Sequence, residues 1–290
     1  MLDHHLHVWP HEPGTPTPTF ETLERYCEAA AARGIEQIAI TEHSHRFTRI
    51  LDEVFPHWER PLAGDLAEAT AHVLAVERGG DLDAYVGALV DAQQRGLPLL
   101  VGMEVDHLPG TTDAMAAVMA DYPFDILLGS VHWLDAWLFD DYGTPAFARQ
   151  WESRDVDAVY ADYIDAIIEL ARSGTVDVLA HLDVIKVAGH LPTRPSEHED
   201  RLVEALTATD MVIEFSSAGF RKPANDTYPN IGLLRRLIDK GLRLTTSSDG
   251  HIVDHIGHSF DVLRRHLDEA GVTTLTTFDR RQPISTPVSS

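Results

Sequence analysis

Asp3, His5 and His7 alternate along a short stretch, residues 2–8, that reads as a β-strand. Side chains two apart on a strand share a face. This strand is therefore expected to present one carboxylate and two imidazoles together, with His4 and Leu6 opposite. Buried without partners, such groups are costly. Held side by side, two imidazoles can grip a divalent metal. A sheet edge near a frayed terminus would explain the pair as well.

The rest of the chain weighs on that choice. His43, Glu104, His132, His181, Asp249 and His251 each fall in or just after an apolar run that reads as a strand. Singly, each is more often a hydrogen-bonded structural residue than a ligand. Jointly, they point to a metal site. With His5, His7 and His11 the set holds nine candidate ligands, seven histidines plus Glu104 and Asp249. One mononuclear site needs three or four. Nine suit two or three ions sharing a bridging carboxylate, and nitrogen and oxygen donors without thiolates favour zinc, iron or manganese. His45, His57, His72, His190, His198, His255, His258 and His266 read as ordinary surface or helix residues, and His107 is ambiguous.

These residues need elements to position them. Apolar runs near residues 35–40, 98–105, 124–131, 176–180, 211–215, 242–247 and 273–278 read as further strands. Helical periodicity lies near 20–33, 65–78, 81–95, 111–120, 155–172, 198–209, 230–240 and 257–270. Residues 45–64 form a longer excursion, read as a partly helical lid, and 133–152 an aromatic-rich loop. Strands alternating with helices indicate a parallel sheet covered by helices. About seven such units in this length favour an α/β barrel, whose strand ends converge on one rim. Residues 1–280 are read as one domain and 281–290 as a loose tail.

Composition bounds the function. The chain has 290 residues, one cysteine (Cys27) and a formal net charge of −23. One cysteine forms no internal disulfide, and no basic-plus-apolar leader or membrane-length apolar run is present, so a soluble cytoplasmic protein is expected. The charge argues against nucleic-acid or membrane partners. A small anionic substrate is still allowed, because bound cations invert the local field. Oligomeric state is not legible.

Several motifs carry a resemblance: Asp3-x-His5-x-His7, Thr41-Glu42-His43, Gly102-Met103-Glu104-Val105-Asp106, Gly129-Ser130-Val131-His132, Ala180-His181-Leu182-Asp183 with Lys186, Glu214 through Gly219 with Arg221-Lys222-Pro223, and Ser248-Asp249-Gly250-His251. The chain resembles, over nearly its whole length, the PHP (polymerase and histidinol phosphatase) superfamily, most closely its histidinol-phosphate phosphatases. The resemblance implies a distorted (β/α)7 barrel and a trinuclear centre. His5, His7, Glu104 and Asp249 would hold one ion. Glu104, bridging, with His132 and His181 would hold a second, and His11, His43 and His251 a third. The loop leading to His11 is about two residues shorter than the family pattern. Glu214-Phe215-Ser216-Ser217-Ala218-Gly219 departs from the family's Glu-Ile-Asn-Thr-Ser-Gly. A basic residue of the family, on the helix before the His181 strand, has no counterpart in Tyr160-Ala161-Asp162-Tyr163.

The implied activity is hydrolysis of a phosphate monoester, L-histidinol phosphate first. A hydroxide bridging the ions that share Glu104 would attack phosphorus. Arg221 is expected to contact phosphate, with Lys186 as a second cation. Asp106 and Asp183 would orient metal ligands or pair with the substrate's amine. Glu104 and Asp249 complete the expected catalytic set. Two alternatives stay open: a related phosphoesterase acting on a nucleotide, sugar phosphate or nucleic-acid end, and a non-catalytic metal-binding module like the degenerate PHP domains of polymerases.

Overall fold

The computed structural model describes residues 1–55 and 64–288. The middle of the excursion expected at 45–64, with His57, Pro56 and Pro61, lies outside the described residues. So do the last two residues of the expected tail.

The elements follow in chain order. Strand β1 (Leu2–Leu6) leads to α1 (Phe20–Ala32), β2 (Gln37–Ile40), α2 (Thr48–Glu53), α3 (Asp65–Glu77), α4 (Leu82–Gln94) and β3 (Leu99–Asp106). Then come α5 (Thr112–Ala120), β4 (Ile126–Ser130), the short strands β5 (Trp133–Leu134) and β6 (Trp137–Leu138), α6 (Pro145–Ser153) and α7 (Val156–Ser173). The chain ends with β7 (Val178–Leu179), α8 (Pro195–Thr207), β8 (Val212–Ser216), α9 (Ile231–Asp239), β9 (Arg243–Ser247), α10 (Phe260–Glu269), β10 (Thr274–Asp279) and β11 (Gln282–Pro287).

Seven parallel strands pair in the order β1-β2-β3-β4-β7-β8-β9. A parallel bridge from Leu6 to Gly250 joins the first strand to the segment after the last. Thr246 Oγ1 also donates to the Leu2 carbonyl. The sheet thus curls into a distorted (β/α)7 barrel. Strand faces alternate accordingly. Ala39, Leu100, Ile126, Leu128, Val178, Ala180 and Val212 form one apolar cluster, with Phe278 added from β10. Their sequence neighbours Ile38, Ile40, Leu99, Val101, Leu127, Leu179 and Ile213 belong to the larger core shared with the helices. Leu100, Gly102 and Glu104 alternate along β3, so the residue that breaks the apolar run lies on the same face as Leu100.

Helix ends match their sequence signals. Thr19 caps α1, Asp81 caps α4 and Asn230 caps α9, each accepting from the backbone three residues on. Asp155 caps α7, and Gly174 ends it in the left-handed region. Close packing also fixes the strands. A Cβ at Gly129 would lie 2.7 Å from Val176 Cγ2 and 2.8 Å from Leu170 Cδ2. Only glycine lets α7 sit this tightly on β4, three residues before His132.

The structure departs from expectation in three places. The stretch read as a loose tail pairs antiparallel with β10 from Gln282 to Pro287. The Arg281 guanidinium, at its turn, grips the Asp177 carboxylate and the Thr175 carbonyl. The aromatic loop at 133–152 contains the β5–β6 hairpin and α6. In β1 the register slips: Asp3 opposes Ile38 and Leu6 opposes Ile40, so β1 carries one extra residue. A bulge of this kind reverses side-chain parity. His5 and His7 still converge, but Asp3 does not join them.

His4 is fully buried between Gln37 Oε1 (3.3 Å) and Thr245 Oγ1 (2.9 Å). Burial pulls its pKa from 6.5 down to about 4, the Gln37 hydrogen bond opposing. Between those values the unfolded chain binds the proton and the native state does not. Stability therefore rises with pH across that window and is lost as pH falls from about 6.5 toward 4. Urea unfolding is expected to show roughly 2–3 kcal/mol more acid loss in this window for the wild type than for His4→Asn. Equal slopes would contradict it.

Candidate metal centre

Glu104 stands at the centre of the barrel mouth and is fully buried. Its Oε2 lies 2.7 Å from His43 Nδ1, 3.2 Å from His5 Nε2 and 3.6 Å from His7 Nε2. Its Oε1 lies 3.0 Å from His181 Nε2 and 3.4 Å from His132 Nε2. Asp249 Oδ1 approaches His7 Nε2 at 3.5 Å, His251 Nδ1 at 3.6 Å and His5 Nε2 at 3.9 Å. The His251 ring stacks on His7 at 4.2 Å between centroids. Each group comes from the C-terminal end of a strand, or the loop after it, as a parallel barrel requires. His181 and Asp249 hold positive φ, 23° and 50°. Non-glycine residues in that region are strained, and such strain concentrates at functional sites.

Four overlapping groups bring ligating atoms within 4.8 Å of one another: His5–His7–Asp249, His5–Glu104–His181, His7–His43–His251 and His43–Asp106–His132. The donor chemistry fits divalent metal. His5 Nε2, both nitrogens of His7 and of His43, His181 Nδ1, His251 Nε2 and Glu104 Oε2 are buried with no hydrogen-bond partner. Buried polar atoms are rarely left so. Cations would satisfy those that face inward, His5 Nε2, His7 Nε2, His43 Nδ1 and Glu104 Oε2.

Charge is divided unevenly around Glu104. Burial favours neutral Glu104, but His43, His5 and His132 outweigh it and hold its pKa well below the carboxylate range. Burial also opposes charge on His5, yet Glu104, Glu214 and Asp249 keep its pKa well above the ordinary value. Burial drives His43 down to about 3 against the pull of Glu104. Burial and the adjacent His7 push His251 well below the histidine range. Neutral imidazoles are the ligating form, so His43 and His251 are ready to ligate. His5 would instead release a proton to an incoming ion, as would His132, where burial opposes charge but Glu104 and Asp106 raise the pKa to about 9.

Carboxylates behind the cluster orient it. Glu214 Oε1 meets His5 Nδ1 at 2.7 Å, and its Oε2 accepts the His181 backbone N–H. Glu42 Oε1 accepts from the backbone of Val8 (2.6 Å) and Trp9 (2.8 Å), with Oε2 3.5 Å from His7 Nδ1. Asp106 meets His132 Nδ1 at 2.9 Å and His45 Nδ1 at 2.8 Å, and accepts from Ser44 Oγ at 3.0 Å. Asp3 accepts from Ser248 N, Ser248 Oγ and Gly257 N, and so pins the loop that carries Asp249. His45 is not the surface residue its sequence suggests. It is buried between Asp106 and Glu77, and although burial opposes the charge, they raise its pKa to about 10. Glu42 and Glu214 lie within the sequence motifs but had no assigned role there. Their signal was adjacency: Glu42 precedes His43, and Glu214 sits on a strand between apolar residues, as Glu104 does.

The remaining expected residues fall as follows. His11 lies at the rim with its side chain 52% exposed, Nδ1 2.9 Å from Glu77 Oε1 and its ring 4.5 Å from His251. It belongs to none of the four groups. Arg221 Nη2 donates to the carbonyls of Ser248 (2.6 Å) and Asp249 (2.8 Å), while its Nη1 is buried and without a partner. Its neighbour Lys222 lines the mouth. Lys186 Nζ is held by Asp183 (2.9 Å), Asp226 (2.8 Å) and the Thr227 carbonyl (2.9 Å). Lys186 and Asp183 line a separate cleft with Tyr160 and Leu202.

Asp106→Asn keeps the shape but removes the charge and leaves one acceptor oxygen where His132 uses one and His45 and Ser44 the other. Outer carboxylates of this type are worth about 10–100-fold in metal affinity. Titration of the metal-free variant with a fluorescent competitor for Zn²⁺ is expected to show a loss of that size. Wild-type affinity would contradict the orienting role.

Comparison with known proteins follows the same lines. The family model described as PHP domain matches residues 17–218. A probable histidinol-phosphatase of Deinococcus radiodurans is 30% identical over 98% of this chain and 99% of its own. A histidinol-phosphatase of Bacillus subtilis is 25% identical over 89% of this chain and 96% of its own. The crystal structure of a Lactococcus lactis histidinol phosphate phosphatase, complexed with zinc, L-histidinol and phosphate, superposes with a TM-score of 0.72 at 19% identity, covering 98% of both chains. With the family model spanning most of its length and the barrel and ligand cluster in place, the chain belongs to the PHP domain family.

Proposed function

We propose that this protein is a metal-dependent phosphatase that hydrolyses L-histidinol phosphate to L-histidinol and inorganic phosphate. One observation carries the reading: at the mouth of a PHP barrel a buried carboxylate is ringed by imidazoles, with Glu104 Oε2, His5 Nε2, His7 Nε2 and His43 Nδ1 left without hydrogen-bond partners. The histidinol-phosphatase relatives matched along almost their full length support the substrate. Two to three ions of zinc, iron or manganese are proposed. His5, His7, Glu104 and Asp249 would hold one, Glu104, His132 and His181 a second, and His43 and His251, with His11 from the rim, a third. Bound there, the ions would acidify water and neutralise charge on the phosphoryl group.

The chain's own residues set up the rest. Glu104 and Asp249 stay ionised because the surrounding imidazoles hold their pKa values down against burial. The mouth, about 520 Å³, accommodates a small phosphate ester. Lys222 in its wall offers a cation to phosphate. Arg221 acts as a positioning residue through the Ser248 and Asp249 carbonyls, and its buried Nη1 has room for one more acceptor.

Treatment with chelator is expected to abolish phosphate release from L-histidinol phosphate, and added Mn²⁺ or Zn²⁺ to restore it. Undiminished turnover in protein shown metal-free by elemental analysis would overturn the proposal. Arg221→Ala is expected to lower metal retention as well as raise KM. A rise in KM with full metal content would assign Arg221 to phosphate directly.

A further inference from the structure

Four carboxylates line the mouth: Glu77, Asp140, Asp141 and Asp249. Three are engaged. Glu77 pairs with His11 and His45. Asp141 accepts from the backbone of Gly143 and Thr144 and from the Thr144 hydroxyl. Asp249 sits among His5, His7 and His251. Asp140 accepts from no other described residue, and its Oδ1 is buried without a partner.

Its backbone is held even so. The β5–β6 hairpin folds the chain back, and Phe139 N donates to the His132 carbonyl at 3.2 Å. The Trp151 indole donates to the Phe139 carbonyl at 3.2 Å. The near charges of Asp140 are His132, Lys222 and His181, yet a buried carboxylate oxygen held in a fixed place without a hydrogen bond is costly unless a donor arrives with the ligand. Lys222 lines the same mouth and makes no ion pair among the described residues. Leu138, Val184, Val187 and Tyr228 supply apolar wall beside them. Of the sequence candidates for an amine, Asp106 is taken by His45 and His132, and Asp183, though its Oδ1 is also unpartnered, lines the separate cleft beside Lys186.

We propose that Asp140 is a specificity residue that binds the ammonium group of an amino-alcohol phosphate, while Lys222 faces the phosphate, so the mouth selects esters carrying both charges. This deepens the phosphatase reading and rests on it for the substrate.

The test compares L-histidinol phosphate with its des-amino ester, 3-(imidazol-4-yl)propyl phosphate. Wild-type kcat/KM is expected to favour the amine about 100-fold, the scale of a buried charge pair. In Asp140→Asn the preference is expected to fall to within about threefold. A wild-type preference near one, or a preference unchanged in the variant, overturns the assignment. Asp140→Ser serves if the amide variant does not fold, and the wild-type ratio needs no variant. Calorimetric binding of L-histidinol and 3-(imidazol-4-yl)propan-1-ol to the metal-loaded protein is independent of turnover. If neither ester is hydrolysed but the amine preference in binding is lost with Asp140, the phosphatase reading fails and the Asp140 assignment stands. If both esters are hydrolysed with equal efficiency and both alcohols bind alike, the reverse holds.

Discussion

The structure depends on one awkward placement: the Glu104 carboxylate, fully buried, within 3.6 Å of five imidazoles. Such a cluster is unfavourable by itself, because each group has left water and several of its inward-facing atoms lack hydrogen bonds. It persists because the barrel determines its geometry from below. The lower barrel is closed by small and branched apolar residues, and the β10–β11 hairpin adds Phe278. Above that layer the strand ends carry the polar groups of the mouth.

Rigidity of the ligands comes from acids one layer out. Glu42, Glu214, Asp106 and Asp3 each tie a ligand or its loop to backbone from a distant part of the chain. Asp3 to Ser248 spans nearly the whole sequence, so closing the barrel and setting Asp249 are one event. The left-handed backbone at His181 and Asp249 is tolerated for the same reason. Asp140 differs from these acids: it accepts from no other described residue, and its near charges are His132, Lys222 and His181.

Much of this was legible in the sequence, for identifiable reasons. Strand-end histidines are a strong signal because a parallel barrel sends every strand end to one rim. His5, His7, His43, His132, His181 and His251 could be gathered on that rule alone. Parity failed at Asp3, because one extra residue in β1 reverses the alternation and no local residue type announces it. His45 was missed because a histidine five residues past the end of β2 reads as surface, and its burial depends on Glu77 and Asp106 arriving from other elements. Arg221 and Lys186 illustrate the same limit. Cation identity was visible, but their partners, the Ser248 and Asp249 carbonyls and Asp226, are set by tertiary packing. The 281–290 stretch lacked strand alternation strong enough to distinguish it from a tail, and it pairs because β10 lies beside it.

Whether the imidazole and carboxylate cluster is a metal centre is decided most directly by anomalous diffraction from crystals of protein purified without chelator. Data collected on both sides of the zinc, iron and manganese edges should show at least two peaks within coordination distance of Glu104 and the surrounding imidazoles. A well-ordered mouth with no anomalous peak, in crystals whose medium contains these ions, would contradict the account.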